Sequence, residues 1–531
     1  MPNGYFSLIL HAHLPFVRHP EYPEFLEEDW LYEAITEVYL PLVFIFQNLH
    51  EAGAKPRLAM NISPPLCEML ADKLLEERYT RHLENLIELA KKEFARVSKD
   101  APEFYDAAKM YVRNLSAALD LWNNKYQRNL VNAFRQLQNE GVLEIITCGA
   151  THGFLPLIST TEAKRAQIEI AIANYKKHFA RKPRGIWLPE CAYEPGLENL
   201  LKDTGIEYFI GDSHAILYGE PRPRFGVHAP ILCPNGVAVF ARDLETSQQV
   251  WSAEVGYPGN AVYREFYRDV GWDLPLDYLK PHLHKDGTRR HLGLKYHRIT
   301  GKTTSQQFKK PYLPNLARAK AAEDAADFIS KRISQASHLR ETFDGHPPLV
   351  TSPYDAELYG HWWFEGPQFL DFLFRELHNK EDLIEAFTPG DFLDAKIPIQ
   401  IQQPSASSWG ENGYYKVWLN DKNSWIYPYQ HDAERKMTAL ANRFERPNEM
   451  EKRVLNQLAR ELLLAQSSDW AFQIYKETTV QYSSRRFQSH IHRFNLLANM
   501  LETSEFNEPL LAEIENRDNI FAEIDYRIYR S

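Results

Sequence analysis

Cysteine is scarce in this 531-residue chain: there are four, Cys67, Cys148, Cys191 and Cys233, and none stands in CxxC spacing. That excludes a disulfide framework or a zinc knuckle and points to a reducing, cytoplasmic setting. Long apolar runs are missing too. Nothing approaches the roughly 20 residues needed to cross a membrane, and the first ten residues lack the basic start and apolar stretch of a secretory signal. Cations are outnumbered, 61 Lys and Arg against 71 Asp and Glu, with no dense basic run. Nucleic acid is therefore not an expected partner. No two histidines stand four residues apart, which rules out a HExxH metal helix, and the glycine-rich dinucleotide and phosphate-loop patterns are absent. Internal repeats and low-complexity tracts are absent as well.

The chain does have aromatics, 13% of all residues with 11 Trp and 28 Tyr. Flat rings pack on the C–H face of sugars as readily as in cores, so composition leaves both uses open. The length predicts two or three domains. Along most of it, a short apolar run ends in polar or catalytic-type residues and a helical stretch often follows. The run from Tyr5 to Leu10 ends in His11 and His13, that from Arg57 to Met60 in Asn61, and that from Leu143 to Thr147 leads to His152. Gly185 to Leu188 leads to Glu190, Glu207 to Ile210 to Asp212 and His214, Val237 to Phe240 to Arg242 and Asp243, and Leu349 to Thr351 to Asp355; Ile397 to Ile401 follows last. Short buried strands alternating with amphipathic helices predict a parallel α/β fold, either a barrel or an open doubly wound sheet. In a barrel the strand C-termini carry the chemistry. The expected organisation is a barrel in two parts, 1–212 and 264–404, a Pro- and Gly-rich inserted lid or small domain at 213–263 whose Val237 run returns to the sheet, and a C-terminal helical domain at 405–531.

Two carboxylates stand in matching contexts. Glu190 lies in Trp187-Leu188-Pro189-Glu190-Cys191-Ala192-Tyr193, and Asp355 in Ser352-Pro353-Tyr354-Asp355-Ala356-Glu357-Leu358, followed by Gly360-His361-Trp362-Trp363. Glycoside cleavage needs such a pair, one to attack or activate water and one to protonate the departing oxygen. Most Glu and Asp near strand ends are structural partners; the second carboxylate and the nearby Trp residues raise these two above that background. His11-Ala12-His13 invites a metal reading, but sugar-hydroxyl binding and core packing compete with it, and no Asp-Asp pair follows the first strand. No metal is expected at His11, His13 and His152. Trp409 follows a small polar run and precedes a glycine-rich turn, as an exposed platform would; buried packing competes for Trp272 and Trp418.

Taken together and in order, five segments resemble glycoside hydrolase family 57 and, within it, the members that branch alpha-1,4-glucans. They are His11-Ala12-His13-Leu14-Pro15-Phe16, Gly149-Ala150-Thr151-His152-Gly153-Phe154, the two carboxylate segments, and Ser407-Ser408-Trp409-Gly410-Glu411-Asn412-Gly413 with Trp418. Gly256-Tyr257-Pro258-Gly259 and Phe266-Tyr267-Arg268-Asp269 favour the branching members. The resemblance implies an incomplete (β/α)7 barrel with an inserted segment and a C-terminal helical domain, acting on an alpha-1,4-glucan without a cofactor. It implies that Glu190 is the nucleophile, that Asp355 is the acid/base, and that a covalently held glucan chain is transferred to a 6-hydroxyl. His11, His13, His152 and Arg264 would hold hydroxyls, Trp30, Trp272, Trp409 and Trp418 would stack on glucose units, and Asp469 would reach the cleft from the helical domain. One departure is expected to matter: branching members carry a tyrosine on a mobile loop over the site, whereas the stretch 220–235 here has Phe225 and His228 and no Tyr, which favours hydrolysis or mixed activity. The competing readings are an alpha-glucan hydrolase or 4-alpha-glucanotransferase with the same carboxylates, and a non-catalytic glycan-binding protein.

Overall fold

The computed structural model describes residues 2–252 and 254–531; Met1 and Ala253, which fall in the ranges 1–212 and 213–263, lie outside the described residues. Ten strands follow in chain order: β1 (Gly4–Ala12), β2 (Leu58–Ile62), β3 (Leu143–Ile146), β4 (Gly185–Trp187), β5 (Tyr208–Gly211), β6 (Ile231–Leu232), β7 (Ala238–Ala241), β8 (Leu349–Asp355), β9 (Ile384–Ala386) and β10 (Gln400–Ile401). Seven of them, in the order β8-β1-β2-β3-β4-β5-β7, run parallel around one axis. Two seams are thin. β3 meets β4 through the single bridge Thr147–Ile186. β7 meets β8 through one bond, from the Asp243 N–H to the Thr351 carbonyl at 2.9 Å. The ring is thus an incomplete (β/α)7 barrel rather than an open sheet.

Side chains alternate across a strand, and one set points inward: Ile9, Ala59, Ile146, Trp187, Ile210, Phe240 and Leu349 form a single buried cluster on the barrel axis. The same parity carries His11 on β1, Asn61 on β2 and Asp355 on β8 to the C-terminal mouth, where His11 is paired in register with both of the others. Below the mouth this axis is mostly apolar, apart from Ser7, Thr351 and the Tyr208–Glu144 hydrogen bond, and the candidate catalytic groups sit at the top.

Helices cover the outside. Thr160 caps Thr161–Phe179 by accepting from the Ala163 N–H, and Asp72 caps the long helix Lys73–Asp100 in the same way. The C-terminal region is helical: Ile426–Arg443, Glu449–Ala465, Ser468–Lys476, Val480–Thr503 and Glu508–Arg517. Asn448 and Glu451 start the second of these with a reciprocal capping box. Among the described residues no helix is long and apolar enough to cross a membrane.

The segment 213–263 is not one separate lid. Its strand β7 is a barrel strand, paired with β5, and β6 folds back antiparallel on it. The long irregular excursion lies later, at 254–313, with only short helical turns such as Val270–Asp273 and Leu276–Leu279. The tyrosine-less stretch 220–235 also lies away from the mouth. The carbonyl of His228 accepts from the N–H of Leu349, the first residue of β8, and Phe225 stacks on His346 at 4.2 Å. Six residues of strand rise, about 20 Å, separate that level from Asp355. The segment that does approach the mouth is the helix Leu244–Trp251 after β7: Trp251, 40% exposed, meets Trp409 edge-on at 6.4 Å.

Candidate active site

Glu190 sits in a tight turn, Pro189–Cys191, just past β4, with φ +61°. Cys191 and His152 also take positive φ, at +49° and +60°. Non-glycine residues adopt this region at a cost of order 1 kcal/mol each, and only where surrounding bonds hold them there. Those bonds come from the C-terminal part of the chain: the Trp409 N–H donates to the Glu190 carbonyl, and the Ser468 N–H to the His152 carbonyl, both at 3.0 Å. The carboxylate of Glu190 is held from the same side. Trp409 Nε1 donates to one oxygen at 2.9 Å, and Ser468 Oγ lies 2.7 Å from the other.

Burial pushes the Glu190 carboxyl up to about 7, against the pull of these two partners. Asp355 differs. Half-buried, it has no hydrogen-bond donor on its carboxyl among the described residues, and burial followed by the charges of Glu357 and Glu190 pushes it well above the usual carboxylate range. Glu357 is also raised to about 7 by burial; it accepts from the Tyr39 hydroxyl and from the His13 N–H at 3.2 Å. Between the acids lies His13. Burial works to lower its imidazole, but the bonded Asp469, 3.1 Å away, and then Glu190 and Glu357 raise it. Asp469 is raised by burial, yet His13 and Ser467 bring it below its usual range. Around this centre His11 stacks on Trp187 at 4.6 Å and 8°, and His13 on His152 at 3.8 Å.

The structure thus brings together His11, His13, His152, Glu190, Asp355, Trp409 and Asp469. It does not bring the others into this cluster. Trp418 is 1% exposed, wedged behind Gly410 and against Phe154, so it packs the core instead of offering a stacking face. Arg264, also buried, donates to Glu37 at 2.9 Å, to Tyr111 and to the His361 carbonyl, so it is engaged within the barrel wall and not at the mouth. Burial alone would raise Glu37, but Arg264 and His361 hold it at about 2. This knot pins the loop after β8 to the barrel wall, and Gly360 (φ +126°) allows it, since a Cβ there would stand 2.0 Å from the Glu37 carbonyl. Replacing Arg264 with leucine is expected to strand Glu37 and cost about 3 kcal/mol, read as a lower denaturant midpoint at an unchanged m-value. Trp30 packs edge-on against Tyr482, and Trp272 is 52% exposed beside His291.

Sequence reading missed Ser468, Glu357, Tyr39 and Ser63, whose hydroxyl lies 2.9 Å from His13 Nδ1, as site residues. Ser468 gave no signal of its own, since it enters from a helix 278 positions beyond Glu190; Glu357 sat inside the Asp355 segment and could have been taken with it. Trp409 contributes an N–H as well as a ring. Replacing it with phenylalanine removes a donor to the charged form, so the Glu190 pKa should rise by roughly one unit. A pH–rate profile of kcat/KM checks this: its acidic limb should move above 7.

Two buried carboxyls at the mouth of an α/β barrel, one held by two donors and the other pushed toward its neutral form by burial and neighbouring charge, fit a carbohydrate-cleaving class of site. The sequence model described as glycosyl hydrolase family 57 matches residues 7–324, and one described as 1,4-alpha-glucan branching enzyme, C-terminal, matches 429–529. A curated 1,4-alpha-glucan branching enzyme of Thermococcus kodakarensis is 35% identical, over 98% of this chain and 77% of that protein. Among solved structures, an alpha-amylase, AmyC, of Thermotoga maritima is 44% identical with TM-score 0.93, covering 99% of both chains. A branching enzyme of Pyrococcus horikoshii is 35% identical with TM-score 0.89, covering 100% of this chain and 97% of that one. This chain belongs to glycosyl hydrolase family 57.

Proposed function

We propose that the protein is a 1,4-alpha-glucan branching enzyme: it opens an alpha-1,4 bond, keeps the donor chain as a covalent glycosyl-enzyme, and passes it to a 6-hydroxyl. Glu190 attacks the anomeric carbon. Asp355, held protonated by its surroundings, donates to the leaving oxygen and then takes the proton of the incoming hydroxyl. The observation that carries this reading is the joint construction of the site. Ser468 and Asp469, inside the segment that matches the branching-enzyme C-terminal model, bond directly to Glu190 and His13. Transfer must outrun hydrolysis by abundant water, which demands a positioned acceptor and a sheltered intermediate. Groups reaching down from the helical domain onto the nucleophile supply such shelter. Four free, buried cysteines support a cytoplasmic setting.

A second reading is favoured by two observations: the 44% identity to an alpha-amylase structure, and a mouth-facing segment, residues 242–252, without a tyrosine. In that reading water takes the acceptor's place and the same carboxylates hydrolyse. Amylose incubated with the protein and then treated with a debranching enzyme separates the two. Released short chains mean new alpha-1,6 bonds, whereas reducing ends formed without debranchable product would overturn the branching assignment.

A further inference from the structure

Asn61, His11, His152, Ser468 and Glu190 form one continuous hydrogen-bonded line. Asn61 Oδ1 lies 2.6 Å from His11 Nδ1, and His11 Nε2 lies 3.0 Å from His152 Nε2. His152 Nδ1 lies 2.8 Å from Ser468 Oγ, which lies 2.7 Å from Glu190 Oε1. The Asn61 end sets the direction. Its amide N–H donates to the Ile146 carbonyl at 3.2 Å, so Oδ1 faces His11 and can only accept. His11 must therefore carry hydrogen on Nδ1, and when neutral it presents a lone pair at Nε2. His152 must then carry hydrogen on Nε2 and present a lone pair at Nδ1. That lone pair claims the single hydroxyl hydrogen of Ser468. An ionised Glu190 needs the same hydrogen, and one O–H cannot serve both.

We propose that Asn61 is a positioning residue which, through this line, couples ionisation of Glu190 to protonation of the His11–His152 pair; the inference rests on Glu190 being the nucleophile. In the neutral arrangement the Glu190 O–H donates to Ser468, Ser468 to His152, His152 to His11 and His11 to Asn61. In the charged arrangement the Glu190 proton moves to Ser468 Oγ as the Ser468 proton moves to His152 Nδ1. The Glu190 O–H breaks, the Ser468 O–H breaks and re-forms with the incoming proton, and one N–H forms on His152, so the result is a carboxylate and an imidazolium with every hydrogen bond of the line kept. Other groups bias the choice. His13 stacks on His152 and opposes a second imidazolium, Asp469 and Asp355 face Glu190, Glu357 faces His13, and the Cys148 and Cys191 thiols are held neutral by burial. Burial also keeps His11 and His152 well below the usual imidazole range, so the substrate-free site rests in the neutral arrangement, in line with Glu190 near 7.

Asn61→Leu frees His11 to carry its hydrogen on Nε2. The line then reverses without any added charge, and Ser468 donates to ionised Glu190. The acidic limb of kcat/KM should move down by roughly one pH unit, the scale of one charge-assisted hydrogen bond. Asn61→Ala should move it the same way. In a Ser468→Ala background, where the line is cut, neither change should move the limb. A residue that merely supports the fold would lower kcat or Tm with the limb in place. A limb that stays or rises in folded Asn61 variants, or shifts equally without Ser468, overturns the proposal. Full activity of Glu190→Gln would instead overturn the nucleophile assignment.

Discussion

Glu190→Gln is expected to lower kcat on amylose by roughly four orders of magnitude or more, while the dissociation constant for a malto-oligosaccharide changes only a few-fold. The amide keeps the shape of the side chain and can still accept from Trp409 Nε1, so the turn at Pro189–Cys191 and its bonds to Trp409 should persist. What it lacks is a nucleophilic oxygen able to hold the glycosyl group, and neither Asp469 nor Asp355 stands in for it: Asp469 is engaged by His13 and Ser467. Calorimetric binding alongside single-turnover kinetics separates the two quantities. Binding lost together with turnover would mean that the site had collapsed; turnover retained would mean that another group attacks.

Asp355→Asn should cost about 10²- to 10⁴-fold in kcat, the usual worth of a positioned general acid, and it should change the pH profile in a defined direction. Burial and the neighbouring Glu357 and Glu190 charges raise the Asp355 pKa. Its protonated form is the competent acid, so activity falls as pH rises through that pKa. The acidic limb has the opposite origin: in the proposed mechanism Glu190 must be ionised to attack, so activity is expected to fall as pH drops below about 7. Because the carboxyls interact, the limbs belong to the coupled group rather than to single residues. The amide of the Asp355→Asn variant cannot titrate, so the basic limb should flatten while the acidic one stays near its place, since Asp355 is already neutral where Glu190 ionises. An aryl glycoside, whose leaving group needs little protonation, should lose less than amylose in the first step. A profile that keeps its basic limb would assign the acid role elsewhere, with Glu357 the nearest alternative.

Much of the barrel was legible because burial on a strand writes itself into the sequence. Runs such as Tyr5 to Leu10 and Leu349 to Thr351 must be apolar to fill the axis, and the polar residue that ends each run marks the mouth. His11, Glu190 and Asp355 were found that way. Trp418 and Arg264 were misjudged because an indole or a guanidinium reads the same in sequence whether it lines a cleft or packs behind it; the Gly410 contact and the Glu37 pair decide that, and both are contacts between distant segments. The stretch 220–235 was misplaced for a related reason. A Pro- and Gly-rich connection announces that it is a loop, but the strand end it visits depends on a partner more than a hundred positions away, the Leu349 N–H.

By itself, then, the amino-acid order determined the alternation of buried strands and amphipathic helices, the family, and which carboxylates end up at strand termini, since each follows from local periodicity and short motifs. The tertiary structure alone decided how those carboxylates are held. Ser468, Trp409 and Asp469 come from far along the chain to bond Glu190 and His13. The environment that separates one acid from the other is a sum of burial and charge over residues that meet only when the chain is folded.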